Sequence, residues 1–295
     1  MHLIMIVIAL FVERALGQLK RWRDTDGFAR YVALIESVAL GRRWLQHPAG
    51  VLVILPPVLV VALVQWAIAE YLWLGFELAF GVFILVLTFG PRDLWEDVHT
   101  IVRARDERDF AHAEALTLDL CRRSDGRLAP DTHGRTVVGA VLVQGHERIL
   151  GVLLWFFVAG PAGALFYRSV RELPALAARG SASRAMQRTA EYVHGLAAWI
   201  PARLTVLVYA LVGATRSAIS AWPSARATTH ASASASWRLL AAVGRGAIGL
   251  AGPKAETRYG RGLDDTLLEA LGLIWRALLV MLAILALLTI FGILR

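Results

Sequence analysis

Two ionisable side chains lie inside otherwise apolar stretches and are the residues of this sequence best placed for chemistry. Glu77 is the single acid of residues 71–89, and Arg203 is the single base of residues 196–215. A charge within a membrane helix is costly unless it faces protein or water, so such residues often mark ligand sites. We predict that Glu77 and Arg203 are intramembrane polar groups that could pair. The alternative is a hydrated interfacial Glu77 and a snorkelling Arg203.

Recognisable catalytic and metal-binding motifs do not accompany these two charges. Gly244-Arg245-Gly246 and Tyr259-Gly260-Arg261-Gly262 lack the strand, the lysine and the spacing of a phosphate-binding loop. The eight histidines include no pair at the i, i+4 spacing of a zinc helix, and the single cysteine, Cys121, cannot form a disulfide framework. The motifs therefore predict no catalytic residues, no metal site and no cofactor.

Six apolar stretches must position the charged residues, and they predict an all-α, polytopic integral membrane protein. The sequence is 57% hydrophobic and only 18% charged, which is unusual for a soluble domain. About 20 apolar residues in a helix cross the roughly 30 Å of bilayer hydrocarbon. We expect one membrane domain over residues 1–295. Its predicted membrane segments are about 1–14, 51–69, 71–89, 149–167, 196–214 and 277–294.

Two of the six segments contain residues that interrupt helices. Gly160-Pro161 lies at the centre of 149–167, and Pro201 lies near the start of 196–214. The intervening residues 168–195 hold five arginines, which favour the cytoplasmic side. They would lie outside if segment 149–167 crossed fully. We therefore predict four membrane helices and leave the other two open as spanning, broken or re-entrant.

The distribution of basic residues predicts the orientation in a bacterial inner membrane. The short link at Glu70 has no Lys or Arg and should face outward, whereas residues 13–48 and 91–148 are rich in arginine and should be cytoplasmic. Apolar residues recur at helical spacing from Leu94 to Cys121, which predicts one or two amphipathic helices in the cytoplasmic loop 91–148. The net charge of +8 suits membrane lipids as partners and does not indicate nucleic acid.

Several strings, taken in order and spacing, resemble the AmpE family of inner-membrane proteins. The strings are Phe89-Gly90-Pro91-Arg92-Asp93-Leu94, His146-Glu147-Arg148, Gly151 to Arg168 and Trp199-Ile200-Pro201-Ala202-Arg203-Leu204-Thr205. Members of that family are encoded with the AmpD amidase and are associated with control of β-lactamase induction. The resemblance implies a regulatory or sensory protein linked to cell-wall recycling.

The part of the chain that contains these strings is also similar, more distantly, to the CobD/CbiB family. Members of that family are membrane enzymes that join an aminopropanol unit to cobyric acid in cobalamin synthesis. That family has acids and asparagines before both apolar strings, where this chain reads Gln144-Gly145-His146-Glu147-Arg148 and Val193-His194-Gly195-Leu196-Ala197-Ala198-Trp199. Mg²⁺ binding or proton transfer needs such carboxylates. The comparison thus favours a scaffold that has lost its catalysis.

Two functional hypotheses follow, with a small transporter as a third that has only the broken helices and Glu77 in its favour. The first is a non-catalytic AmpE-like regulator that binds a lipid or an anionic, cell-wall-derived ligand and reports to a protein signalling partner. The second is an amide-forming enzyme of the cobinamide-synthase type with displaced acids.

Arginines that attract a phosphate or headgroup, together with nearby acids, would form the ligand site. The candidate ligand-binding residues are Arg92, Asp93, Glu147, Arg148, Arg168 and Arg203.

Overall fold

The computed structural model describes residues 2–15, 27–89, 94–122, 133–180, 182–225, 233–250 and 262–291, and their regular structure is entirely helical. A 3₁₀ helix (Pro48–Ile54) leads into α4, and a π-helical turn (His146–Leu150) joins α8 to α9. The helices are α1 (His2–Ala15), α2 (Gly27–Ser37), α3 (Ala39–Leu45), α4 (Leu55–Tyr71), α5 (Leu74–Thr88), α6 (Leu94–Asp106), α7 (Phe110–Arg122), α8 (His133–Gly145), α9 (Gly151–Arg179), α10 (Arg184–Val212), α11 (Thr215–Ala225), α12 (Ala233–Ala247) and α13 (Leu263–Ile290).

The all-α, multi-pass membrane architecture predicted from the sequence is confirmed. Within the described residues, four helical stretches are long and apolar enough to cross a bilayer: Pro48–Tyr71, Thr136–Arg179, Arg184–Val212 and Leu263–Ile290. Of the two segments whose crossing the sequence left open, 149–167 lies inside the second of these stretches and 196–214 lies in the third up to Val212. Predicted segments 1–14 and 71–89 correspond to shorter apolar helices, His2–Val12 and Leu74–Thr88.

The chain forms two compact units, and each unit combines two separate stretches of sequence. Unit 1 comprises Met1–Pro91 and Gly151–Ala198, and unit 2 comprises Arg92–Leu150 and Trp199–Arg295. In unit 1, α9 packs against α1, α2, α4 and α5. In unit 2, α8 packs against α6, α7, α12 and α13. The single domain expected over the whole chain stays a prediction.

The backbone of α9 is interrupted at Gly160-Pro161, which is one of the alternatives that the sequence left open. Gly160 has φ of +61° and ψ of −151°, a conformation that residues with a Cβ rarely adopt, so the helix is interrupted there. The interruption leaves the N–H of Ala162 without its usual partner, and Gln65 Oε1 of α4 accepts it at 3.2 Å. A Cβ at residue 160 would lie 2.6 Å from Gln65 Nε2, so a larger residue there would require the side chain of Gln65 to move.

Both prolines that the sequence analysis singled out free a carbonyl four residues earlier, and each carbonyl receives a side-chain donor. Pro161 cannot donate to Phe157 O, and His2 Nδ1 of α1 donates to that oxygen at 3.0 Å. Pro201 cannot donate to Ala197 O, and Trp155 Nε1 donates to it at 3.1 Å. Helix α10 remains continuous through Pro201, because the indole replaces the missing backbone bond.

Helix α8 forms the centre of unit 2, because neighbouring helices cover it on all sides. Every residue from Val137 to Val143 is buried, which is expected of a helix apolar around its whole circumference, and the burial continues through the polar residues of 144–148. Close approach of α8 to its neighbours depends partly on glycines: a Cβ at Gly145 would lie 2.5 Å from Ile274 Cδ1 of α13, and one at Gly139 would lie 3.1 Å from Ala241 Cβ of α12. The buried Tyr209 hydroxyl of α10 donates to Leu142 O at 3.1 Å. This packing brings the end of α8, with its polar residues, into the protein interior.

Helices α6 and α7 confirm the amphipathic pattern predicted for residues 94–121. Their apolar faces are buried through Leu94, Val98 and Ile101 on α6 and through Ala113 and Leu120 on α7. At the far end of α6, Arg105 Nε donates to Asp264 Oδ1 of α13 at 2.6 Å. Helix α6 is therefore held in unit 2 by apolar contacts and by an ion pair at its C-terminal end.

Replacing Trp155 with Phe should destabilise the protein by about 1–3 kcal/mol, because it leaves the carbonyl of Ala197 buried without a donor. The loss should shrink by at least half in a Pro201→Ala background, where residue 201 regains the N–H that reaches Ala197 O. The measurement is the free energy of unfolding from sodium dodecyl sulfate titration in mixed micelles. Trp66→Phe, at an exposed tryptophan of α4, is the matched control. An equal loss in both backgrounds would contradict the role assigned to the indole.

Cys121 should react slowly with maleimide in the folded protein. Burial raises the pKa of its thiol to about 11, so on the order of 10⁻³ of the thiol is thiolate at pH 8. The labelling rate should rise about tenfold per pH unit between pH 7 and 10. The comparison is a Cys121→Ser, Ala115→Cys variant, which places the thiol at an exposed position of the same helix. Equal labelling rates for the two proteins at pH 7 would show that Cys121 is accessible.

Candidate functional site

A buried polar cluster in unit 2 surrounds the π-helical turn between α8 and α9, and we refer to it as the turn cluster. The turn itself supplies His146, Glu147 and Arg148, which are 0%, 4% and 7% exposed. The buried Gln144, one turn earlier on α8, also belongs to it. A single π turn adds one residue to the helix and often occurs at functional sites, because it turns side chains away from the regular spacing.

Arg148 makes the ionic contacts of the turn cluster. Its Nε donates to Gln144 Oε1 at 2.8 Å, and its Nη1 donates to Asp97 Oδ2 at 3.0 Å. Asp97 lies in the first turn of α6, where the helix dipole favours a carboxylate. The side chain of Arg148 is 8% exposed and that of Asp97 is 19% exposed, so the aspartate forms the more accessible side of the pair.

The other two turn residues contact α10 and α12. His146 Nδ1 lies 2.9 Å from Thr205 Oγ1, and both residues are buried. Glu147 Oε1 accepts a hydrogen bond from Trp237 Nε1 at 3.0 Å. The cluster thus contains two carboxylates, one guanidinium and one imidazole in a largely apolar environment, where each charge needs a partner. Such groups could bind an anion, hold a proton or accept one.

The structure places the six predicted ligand-binding residues in different surroundings. Arg92 and Asp93 lie outside the described residues. Glu147 and Arg148 belong to the turn cluster of unit 2, whereas Arg168 lies in unit 1, where its Nε donates to Glu172 Oε1 at 2.8 Å and its Nη1 donates to Leu87 O. The latter contact satisfies a carbonyl in the last turn of α5. A common binding role for the six residues stays a prediction.

The two charges that the sequence predicted to be intramembrane are Arg203 and Glu77, and Arg203 contacts its own helix. Arg203 Nη1 donates to Trp199 O at 2.9 Å, and its guanidinium lies 3.8 Å from the centre of the Trp199 ring. A cation–π contact of this kind stabilises an arginine at a membrane boundary. Glu77 is half-buried in the first turn of α5. The two residues belong to different units, and their proposed pairing stays a prediction.

Sequence reasoning did not identify Asp97, Thr205 or Trp237 as members of a site. Asp97 is 51 residues from Arg148, and among the many charges of α6 nothing in the sequence distinguishes it. Trp237 follows a segment of low complexity that has no readable pattern. The adjacent Glu147 and Arg148 at the start of an apolar run were the detectable signal. Among the described residues, no three His, Cys, Asp or Glu side chains are grouped to hold a metal ion.

Comparison with known proteins gives a consistent result. The family model described as "CobD/Cbib protein" matches residues 6–290. Cobalamin biosynthesis protein CobD of Stutzerimonas stutzeri is 28% identical over 221 residues, which cover 74% of this chain and 72% of that protein. The CobD protein of Chromobacterium violaceum is 28% identical over 261 residues, which cover 82% and 78%. That of Rhodobacter capsulatus is 25% identical over 264 residues, which cover 85% and 82%. No solved structure matches.

The comparisons contradict the AmpE-type regulatory function expected from the sequence, because the matching family and these relatives belong to cobalamin biosynthesis. The physical reason for the error lies in the strings that suggested it. Trp155, Gly160-Pro161 and Pro201 maintain the interrupted and proline-containing helices, so they report a shared scaffold and not a regulatory activity. With its family model matched over residues 6–290, the chain belongs to the CobD/CbiB family.

Proposed function

We propose that this protein is a membrane-bound, amide-forming enzyme of cobalamin biosynthesis. It would join an amine such as aminopropanol to a carboxyl group of the corrinoid cobyric acid. The turn cluster is the observation that supports catalysis, because Glu147 and Asp97 provide buried or half-buried carboxylates beside an arginine. The names of the relatives, each a cobalamin biosynthesis protein, support the pathway.

The acids and asparagines that the resemblance implied in regions 144–148 and 193–199 are replaced there by other residues, apart from Glu147, and the turn cluster, with Glu147 and Asp97, offers a physical replacement for them. The carboxyl group must first be activated by a nucleoside triphosphate as an acyl phosphate, so that phosphate leaves with the C–O bond broken as the C–N bond forms. An amine is an ammonium ion at neutral pH, so a base must remove its proton before nitrogen attacks the carbonyl carbon. Glu147 is our candidate for this base. Its carboxylate is 4% exposed and is oriented by Trp237, an arrangement typical of functional carboxylates.

The reaction also explains why a membrane protein would hold such a cluster near one end of an apolar run. Residues 149–167 contain no charged side chain, and Arg168 is the next charged residue along the chain. The turn cluster therefore directly precedes, in sequence, a stretch that can enter hydrocarbon. We propose that the cluster lies at the cytoplasmic boundary of the bacterial inner membrane, where soluble substrates can reach it. The arginine-rich residues 91–148 support this orientation. Membrane lipids and an anionic ligand are the proposed partners.

Complementation of a strain that lacks its own CobD/CbiB protein tests the proposal. Such a strain should grow with cobinamide but not with cobyric acid under corrinoid-dependent conditions. Expression of this protein should restore growth on cobyric acid, and mass spectrometry should show its conversion to the amide. Correct insertion of the protein without any conversion of cobyric acid would refute the proposed activity.

Glu147→Gln should lower amide formation at least about tenfold at equal protein abundance in the membrane, because general-base catalysis typically contributes 10²–10⁴-fold. The change keeps the size of the side chain and leaves an oxygen that can accept from Trp237. Glu107→Gln is the matched control, since Glu107 is exposed at the end of α6. Product per unit of membrane protein, quantified by mass spectrometry, is the measurement. Unchanged conversion by Glu147→Gln would remove Glu147 from the mechanism.

A further inference from the structure

We propose that Arg148 is the anchor for an oxyanion of the ligand, a carboxylate or a phosphate, and that Asp97 occupies this anchor until the ligand displaces it. The inference rests on the proposed function for the identity of the substrate. The binding of an anion can nevertheless be measured without any corrinoid. The proposal assigns anion binding to Arg148 and makes Asp97 an internal competitor of the ligand.

The first argument is the fixed position of the guanidinium. Gln144 accepts from Nε of Arg148 at 2.8 Å, and both side chains are buried on the same helical segment. This bond does not involve Asp97, so the arginine would keep its place when the aspartate moves away. A held, planar guanidinium is the side chain best suited to carboxylate and phosphate oxygens.

The second argument is the chemical nature of the present partner. Asp97 Oδ2 accepts from Arg148 Nη1 at 3.0 Å, so a carboxylate already occupies the position that a ligand carboxylate would take. Asp97 is also the more exposed member of the pair, at 19% against 8%. A ligand that approaches from solvent therefore meets the aspartate side first. Exchange of one oxyanion for another keeps the buried positive charge compensated throughout.

The third argument is that α6 does not depend on Asp97 for its attachment. Leu94, Val98 and Ile101 are at most 2% exposed, and Arg105 joins Asp264 at the opposite end of the helix. The aspartate can therefore leave Arg148 while the helix remains in place. An ion pair that is not needed to hold its helix in place can exchange one partner for a ligand, whereas an ion pair that holds the helix cannot.

Asp97→Asn is the deciding variant, because it removes the internal competitor and nearly preserves the shape of the side chain. Thermal unfolding of the full-length protein is followed by tryptophan fluorescence in neutral detergent, with sodium phosphate and sodium acetate titrated separately at constant ionic strength. The concentration that gives half of the maximal stabilisation should be at least tenfold lower in Asp97→Asn than in the unaltered protein. Comparison of phosphate with acetate identifies which oxyanion binds better.

Arg148→Gln and the double variant Asp97→Asn, Arg148→Gln should show no stabilisation by either anion. Asp106→Asn removes an exposed acid of the same helix and should behave like the unaltered protein. The proposal is overturned if Asp97→Asn responds no more than Asp106→Asn, or if the variants without Arg148 keep the response. A normal anion response in a protein that fails to convert cobyric acid would overturn the proposed function and leave the anchor intact.

If Asp97→Asn does not fold in chloride buffer, purification in phosphate supplies the second measurement. The anchor predicts recovery of folded protein in phosphate at several times the yield obtained in chloride, because the anion replaces the missing carboxylate. Asp97→Ser, which leaves more room for the anion, should respond in the same way. Equal yields of both variants in the two buffers would show that Asp97 is an irreplaceable structural partner and would overturn the proposal.

Discussion

The need of every buried polar group for a partner inside the protein is the constraint on which this structure depends. A helix within hydrocarbon has no water to complete the hydrogen bonds of its backbone or to solvate its charges. Pro161 and Pro201 each create an unpaired carbonyl, and His2 and Trp155 supply the donors. The ends of an interrupted helix thereby become attachment points for its neighbours. The sequence tolerates helix-breaking residues only because distant side chains satisfy the groups that they expose.

The same constraint has a different consequence in unit 2. There the groups that need partners are not carbonyls but ionisable side chains, which the end of α8 and the turn after it bring into the protein interior. Burial of Arg148 alone would be prohibitive, and Asp97 with Gln144 makes it tolerable. Replacement of the set by apolar residues would be simpler on grounds of stability alone. Two carboxylates, an arginine and a histidine nevertheless lie at or beside this turn, and buried ionisable groups of this kind often cluster at functional sites.

Sequence reasoning was sufficient for features that depend on local patterns. The length of the apolar stretches indicated the membrane segments, and the 3.6-residue spacing of apolar residues predicted the amphipathic helices α6 and α7. Gly160-Pro161 marked the position at which α9 could be interrupted. Features that depend on distant pairs were not accessible. Gln65 is uncharged and lies in an apolar run, so no local signal connects it with Ala162, although the two are bonded in the structure. The pairing of Asp97 with Arg148 was hidden for a different reason, because Asp97 is one of several charged residues on α6 and lies 51 residues away.

The incorrect prediction of an AmpE-type function arose from residues that maintain the helices. Such residues cannot distinguish proteins that share a fold but differ in activity. In this chain Trp155 supplies the donor that Pro201 cannot give to Ala197 O, so strings that include these residues indicate a fold, and one fold can support different activities. Absence of the expected acids near residues 144 and 194 then suggested that catalysis was lost. That step assumed that a carboxylate must come from the same stretch of sequence. Asp97 reaches the turn cluster from another helix, so a carboxylate can join a cluster without leaving any trace in the local motif.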